Sequence, residues 1–471
     1  MCPSGQPYRT PNCKPVKRNI FRLGDEVGRG FVWPSTDNSA IMRSLLFHTE
    51  RRAVAKSKVK VPSPIEEEFV LETFFRCHPI RYDIPPYSLY TQAGQAWFDE
   101  CVSTLNFSSS PGLGYFRQYK TIGDALGWNG LRCTNTANYE ILLRIVRSKL
   151  DNLDAAPDDI RLFVKTEPHK LSKAETGAWR LITVMSLEDQ LVDRILMGTW
   201  QAKEIANCMR IPGKTGWTPI PGGYPAFNST FRRGVLATDC SSFDWTLQSW
   251  VTHLLLEARI AMCKGEDPVY FELLRKRWNQ VLGSPVFRLP DGTRLRQLGY
   301  GVMKSGWYRT IAENSAAQVM SNALAWYRSH PGKPFPTLWT MGDDVIIDWD
   351  ESNDIAAFER ALSSTGQIVK QSSREREFGG FKIVGNTVTP CYSEKHAFSL
   401  KYVSPELKSE VAEAYTRIYA LADSPFRSVV MQFLEPHSPV PMRSCQVWAR
   451  GLLTKVSTEA SAAFTAAVRS F

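Results

Sequence analysis

The chain has 471 residues, 43% of them hydrophobic and 22% charged, which is enough for a large core and too much for one simple domain. A formal net charge of +10 suits a polyanionic partner, although charge alone does not separate RNA from DNA or an acidic membrane. Ten cysteines without a C-x-x-C pair argue against a zinc site or a disulfide framework and for a reducing compartment. No apolar run approaches the roughly 18 residues of a membrane span, and the start "MCPSGQPYRTPNCKPVKRNI" has no signal-peptide core, so reaching a membrane would need a partner or a surface patch.

In chain order, residues 1 to about 35 are rich in Pro, Gly and basic residues, an arm expected to gain order only by lying on something else. "RRAVAKSKVK" (51 to 60) precedes the acidic "PSPIEEEF"; the pair reads as a solvated flexible surface, or as a backbone contact at a nucleic-acid entrance. "NYEILLRIVRSKL" (138 to 150) and "SWVTHLLLEARIAMC" (249 to 263) carry helical spacing. "GVLATDCSSFDWTLQSW" (234 to 250) runs from a β-like stretch into a helix, with Asp239 at the strand end and Asp244 five residues later. A Pro-Asp-Gly turn predicts a hairpin at 286 to 297. Leu338 to Met341 and Val345 to Ile347 flank Gly342-Asp343-Asp344 and predict a second hairpin with two carboxylates at its tip. After 396 the pattern turns mostly helical, with breaks at "SPFRS" and "EPHSPVPMRS".

A Gly-Asp-Asp turn is weak evidence alone, because both residue types favour turns. Its adjacent carboxylates repel, and a hard divalent cation is what would relieve them: Mg²⁺ accepts one or two carboxylates together with phosphate oxygens. If the strand at 234 to 240 lies beside the hairpin, Asp239 and Asp343 can face one another and hold two Mg²⁺ ions roughly 4 Å apart. Asp244 could equally cap a helix. In "GVMKSGWYRTIAENSAAQVMSNALAW" (301 to 326), Ser305 and Gly306 provide backbone that can approach a ligand. Thr310 and Asn314, at i and i+4, share a helix face suited to a sugar edge or simply to a capped amphipathic helix.

Taken in order, Asp239-x4-Asp244, Ser305-Gly306-x3-Thr310-x3-Asn314 and Gly342-Asp343-Asp344 resemble motifs A, B and C of the RNA-dependent RNA polymerases of positive-strand RNA viruses. The phrases "DCSSFDW", "KSGWYRT" and "MGDD" are most similar to the sobemovirus and polerovirus group. "FVKTEPHKLSKAETGAWRLI" (163 to 182) is similar to motif F, although His169 and Ala178 stand where many relatives carry basic residues, leaving Lys170 or Lys173 to compensate. "TGQIVKQS" and "REFGGFKIV" fall where motifs D and E would be, with Gly379 and Gly380 departing from relatives.

The resemblance implies an α+β right hand whose central antiparallel palm sheet packs on helices. Fingers would span 1–196 and 276–300, palm 197–275 and 301–395, and a mostly helical thumb 396–471. It implies metal ligands Asp239 and Asp343 with Asp344 peripheral, two Mg²⁺ ions for which Mn²⁺ could substitute, and triphosphate contacts from Lys165, Lys173 and Arg180. Asp244 and Asn314, helped by Ser305 and Thr310, would read the ribose 2′-OH, and Lys304 and Gly306 would meet RNA. Lys370 would protonate the leaving pyrophosphate, or else is an exposed basic residue on a strand. The implied partners are viral template and nascent RNA, NTPs, a genome-linked protein primer and other viral replication proteins, with no DNA. The implied place is the host cytoplasm, with recruitment to replication membranes by a partner. A reverse transcriptase shares the aspartate pair but usually carries a bulky aromatic at the position of Asp244. A non-catalytic RNA-binding factor would not need three intact candidate ligands.

Overall fold

Four antiparallel strands carry the acidic residues. In the computed structural model, which describes residues 15–452, β1 (Gly234–Cys240), β2 (Leu338–Met341), β3 (Asp344–Trp349) and β4 (Val369–Ser373) form one sheet in the order β4-β1-β3-β2. Side chains alternate across a strand, and both faces of β2 and β3 are covered, so those two read as mostly apolar runs, whereas the edge strand β4 is polar. Leu236, Leu338, Val345 and Ile347 join the main core, whereas Val235, Trp339 and Ile346 join a second, aromatic core with Phe227, Phe231 and Phe378.

Helices back the first face. α1 (Asn38–Lys58) starts where the Asp37 side chain accepts from the Ala40 N–H at 2.7 Å, and it ends with Lys56 and Lys58 beside its C-terminal carbonyls. α2 (Leu187–Ala206), the short α3 (Phe243–Thr246) and α4 (Ser249–Ala261) follow. α5 (Thr310–Ser329) is buried from Ala312 to Trp326, and its alanines at 316, 317 and 323 let the sheet approach closely. α6 (Ile355–Ser363) packs Phe358 and Leu362 into the same core. The mix of an antiparallel sheet with segregated helices is the α+β class expected from the sequence.

The Pro-Asp-Gly hairpin forms between Val286–Arg288 and Arg294–Arg296 and joins a second sheet with Ile160–Val164 and Leu181–Val184. One pair in that sheet, Ile160–Val164 with Val286–Arg288, is parallel. The basic run at 51 to 60 is not flexible: α1 continues through it to Lys58, with Ala55 buried. Residues 15 to 35 of the expected arm do lie on other parts of the chain. Phe21 and Leu23 enter a C-terminal core with Leu400, Tyr419 and Phe426, and Phe31–Val32 pairs with His169–Lys170. Residues 1–14 of the arm lie outside the described residues. In the C-terminal part, which opens with α7 (Ser393–Leu400), "SPFRS" supplies a helix start rather than a break, with Pro425 in the first turn of Pro425–Val429. Among the described residues no helix is long and apolar enough to cross a membrane.

A buried charge cluster pins the start of α5. Arg309 donates to Glu313 (2.8 Å) and Glu204 (2.7 Å), while Arg259 bonds Glu313 (3.2 Å) and Glu204. Tyr82 adds its hydroxyl to Glu204 at 2.9 Å. Two arginines balance two glutamates, all four side chains at most 7% exposed. Removing one member leaves its partners buried and uncompensated, so Glu313→Ala is expected to lower the free energy of unfolding in urea by about 3–5 kcal/mol. A loss below about 1 kcal/mol, the range of an exposed pair, would contradict this reading of the cluster.

Candidate active site

Asp239 is the penultimate residue of β1. The register that pairs Thr238 with Val345 brings it, one step further along, opposite Asp344 at the start of β3. Met341 pairs with Asp344 across the turn Gly342-Asp343. Gly342 has φ +66° with open space where a Cβ would project, so glycine is needed there for backbone geometry and not for room. Two side chains of α5 hold this turn. Ser315 Oγ accepts from Gly342 N at 2.9 Å, and Gln318 Nε2 donates to the Asp343 carbonyl at 3.1 Å. Gln318 Oε1 accepts from Gln367 Nε2 (2.9 Å), and Gln367 accepts from the Cys240 thiol (2.9 Å), so buried amides join turn, helix and strand end.

Asp239, Asp343 and Asp344 all keep exposed surface. Protein nevertheless surrounds the hairpin pair closely. Burial raises the Asp343 pKa, and burial with repulsion from Asp343 and Asp239 pushes that of Asp344 up to about 7. Lys370 Nζ lies 3.1 Å from Asp239 Oδ2, and among the described residues no three His, Cys, Asp or Glu side chains stand at cation-cage spacing. With 51% and 66% of the two side chains exposed, the Lys370–Asp239 pair is weak and displaceable. Because Mg²⁺ completes its shell with phosphate oxygens and accepts one or two carboxylates, this donor set fits a divalent cation arriving with a polyphosphate.

Beside the carboxylates, Asn314 Nδ2 donates to Asp244 Oδ1 at 2.7 Å. Asp244 is not a helix cap; it lies in α3, behind Ser242, which takes a left-handed φ of +54°. Burial pushes the Asp244 pKa up to about 6 despite the bond from Asn314. Asn314 is 5% exposed, and its Oδ1 is a buried acceptor without a partner among the described residues.

Other residues singled out from the sequence serve the loop that precedes α5. Ser305 Oγ accepts from Thr183 N (3.0 Å), and Gly306 N donates to Thr183 Oγ1 (3.2 Å). A Cβ on Gly306 would fall 2.0 Å from the Thr183 carbonyl oxygen, so glycine is needed for packing on that strand. Thr310 turns its hydroxyl to the Lys304 and Trp307 carbonyls (2.5 and 2.8 Å) and not to a sugar edge. Lys304, expected to meet RNA, is fully buried: its ammonium donates to Gln297 Oε1 (2.6 Å) and to the Val302 and Gly301 carbonyls (2.7 and 3.3 Å).

A cationic group faces the acids. Lys165 (2.9 Å), Lys395 of α7 (3.2 Å) and Arg180 (3.7 Å) surround Glu167. Burial would raise the Glu167 pKa, but Lys165 and Lys395 more than offset it, leaving the carboxyl below its usual value. Burial and repulsion by Lys370 and Arg180 lower the pKa of Lys173. His169, where relatives carry a base, is buried, and burial pushes its pKa down to about 4. Neutral, it donates from Nδ1 to the Glu167 carbonyl (2.8 Å) and accepts at Nε2 from Arg180 N (3.2 Å), so it shapes the loop that aims Arg180. The end of the basic run lines a separate hollow of about 690 Å³, where Lys58 and Lys60 stand with Glu359, Arg360 and Lys370 and none of the three aspartates takes part.

A sequence profile described as "Viral RNA-directed RNA-polymerase" matches residues 135–219 and 230–379, a span that contains Lys165, Glu167, Lys173, Arg180, Asp239, Asp244, Asn314, Asp343, Asp344 and Lys370 but not Lys395. The chain belongs to this viral polymerase family. It is 30% identical over 390 residues to Protein P1-P2 of Turnip yellows virus, covering 74% of this chain and 35% of that protein. It is 29% identical over 344 residues to Replicase polyprotein P2AB of Southern bean mosaic virus, covering 68% and 33%. With the RNA-directed RNA polymerase of Mushroom bacilliform virus it shares 30% over 232 residues, 48% of this chain and 54% of that one. The chain thus spans about a third of the first two relatives. A solved structure, Sicinivirus 3Dpol RNA dependent RNA polymerase, superposes with a TM-score of 0.66 over 99% of both chains at 16% identity, a likeness of fold.

In this polymerase-family chain, sequence reasoning missed Ser315, Gln318, Glu167 and Lys395. The first two had a visible signal, since Ser315 and Gln318 stand three apart and share a helix face within a run rich in alanine. Lys395 had none, since it meets Glu167 from 228 residues away. If the carboxylates are crowded as described, Asp344→Asn is expected to raise the thermal midpoint in a chelator by roughly 1–3 °C while weakening stabilisation by added Mg²⁺. A midpoint that falls in chelator would contradict the repulsion.

Proposed function

We propose that this chain polymerises ribonucleotides on an RNA template, the 3′-OH of a growing strand attacking the α-phosphate of an NTP and releasing pyrophosphate. One observation carries the reading: the Asp239, Asp343 and Asp344 carboxylates converge at one sheet end beside Lys370, with the charge of Arg180 felt at Asp343. Positioning and charge neutralisation account for most catalysis of phosphoryl transfer, and these groups are suited to both.

Arg180, half exposed, offers a planar fork to the triphosphate, with Lys173 and Lys165 as point charges beside it. Asp239 and Asp343 would hold divalent cations, with Asp344 alongside; such ions, when bound, neutralise the attacking and leaving oxygens. Mg²⁺ is the proposed ion and Mn²⁺ a substitute. Asn314 Oδ1 accepts from the ribose 2′-OH while Asp244 fixes the amide from its other end. This pair favours NTPs over dNTPs and so disfavours a reverse transcriptase. Lys370, which lies 3.1 Å from Asp239 Oδ2, would protonate departing pyrophosphate once displaced from that carboxylate.

The proposed partners are template and nascent RNA, NTPs, a genome-linked protein primer and other viral replication proteins. The proposed location is the host cytoplasm, with membrane recruitment through a partner. Fingers at 1–196 and 276–300, palm at 197–275 and 301–395 and thumb from 396 are the proposed division.

The test is primer extension on a homopolymer template. Asp239→Ala and Asp343→Ala are each expected to lower the rate by about 10²-fold or more with RNA binding retained. Full activity in either would remove its metal role. Asn314→Ala is expected to reduce the preference for NTP over dNTP about tenfold, consistent with loss of one buried hydrogen bond. An unchanged preference would contradict the assignment of its free acceptor.

A further inference from the structure

Ser44, His48 and Arg52 recur every four residues on α1 and so lie on one helical face. Each reaches a different part of the site. Ser44 Oγ donates to the Gly177 carbonyl (2.7 Å) and accepts from Trp179 N (3.2 Å), holding the loop one residue before Arg180. His48 Nε2 lies 3.3 Å from the Trp179 carbonyl, and its Nδ1 lies 3.1 Å from Ser242 Oγ. Arg52 donates to the Trp245, Leu247 and Tyr300 carbonyls (3.1, 3.0 and 2.7 Å). α3, the short helix that carries Asp244, is thereby held at both ends by α1: at its start through Ser242 and past its end through carbonyls that the helix cannot satisfy itself.

The chemistry of His48 makes it a link with fixed polarity. The Trp179 carbonyl only accepts, so Nε2 carries the proton. Burial pushes the ring pKa down to about 4, which leaves Nδ1 a bare acceptor for the Ser242 hydroxyl. The ring also stacks on Trp245 at 5.1 Å and 9°. Ser242 stands in a left-handed conformation that a non-glycine residue adopts only when its surroundings hold it. The hydrogen bonds of this face run to Gly177, Trp179, Ser242, Trp245, Leu247 and Tyr300 and not to Asn314 or the three carboxylates.

We propose that the Ser44-His48-Arg52 face is a positioning device that sets the spacing between Arg180 on the triphosphate side and Asp244 on the ribose side, and through that spacing sets ribose selectivity. His48 is its central member, joining the two loops by one ring. The inference rests on the polymerase reading above and extends it to residues far from the chemistry in sequence.

The experiment is single-nucleotide addition to a primed RNA with ATP and with 2′-deoxy-ATP, giving kcat and KM for each. His48→Ala is expected to lower the ATP to 2′-deoxy-ATP ratio of kcat/KM by about five- to tenfold, mostly through a raised KM for ATP. Ser242→Ala, which leaves the Trp179 link in place, is expected to reproduce the fall in ratio. His48→Gln, whose amide N–H can still reach the Trp179 carbonyl, is expected to restore part of the ATP KM. A purely structural role would lower ATP and 2′-deoxy-ATP use in proportion, and a ratio within twofold of wild type in both alanine variants overturns the proposal. Should His48→Ala fail to fold, Ser242→Ala decides alone. Asn314→Ala serves as the control: if it shifts the ratio and the α1-linked variants do not, this inference falls while the polymerase reading stands. An inert wild type removes both.

Discussion

Three carboxylates crowd the open end of one β-sheet, and the rest of the molecule is arranged to make that tolerable. Bringing Asp239 to the hairpin has an electrostatic cost, since burial raises the pKa of both hairpin carboxyls and the charge of Asp239 adds to the rise at each. The hairpin stays because its turn is tied to α5 by Ser315 and Gln318, and the start of α5 is tied to α2 and α4 by a buried set of two arginines and two glutamates. Strain at a functional site is thus carried by polar contacts with no exposure to water, where a hydrogen bond is hardest to break. The repulsion is a standing demand for positive charge.

The opposite wall of the cleft has the mirror problem. Burial, with the charges of Lys370 and Arg180 nearby, lowers the pKa of Lys173, while the single carboxylate of Glu167 is shared by Lys165, Arg180 and Lys395. A free anion would suit one wall and a free cation the other. A triphosphate with its divalent cations relieves both at once, which is the electrostatic sense in which the site is complementary to that ligand. Lys370 on Asp239 provides a temporary neutralisation that an exposed pair can surrender at little cost.

Much of this was legible in the sequence because the decisive signals were local. Turn residues between β-formers gave both hairpins, and Asp239 fell at a strand end as its position in "GVLATDC" indicated. Burial was not legible. Lys304 and Thr310 occupy motif positions that suggested ligand contact, yet their polar groups are spent on the carbonyls of their own loop. The same blindness made the 51 to 60 run look like loose surface, when Arg52 within it holds three backbone carbonyls of distant segments. Contacts such as Lys395 with Glu167 or His48 with Ser242 arise only from the fold, since no spacing rule reaches across so much chain.

The most direct measurement is a crystal of the protein grown with Mn²⁺ and a non-hydrolysable NTP analogue on primed RNA, read by anomalous scattering. The account requires manganese peaks at the carboxylates of Asp239 and Asp343, the triphosphate against Arg180, and Lys370 withdrawn from Asp239. Manganese bound elsewhere, or an intact Lys370–Asp239 pair with nucleotide in the cleft, would contradict it.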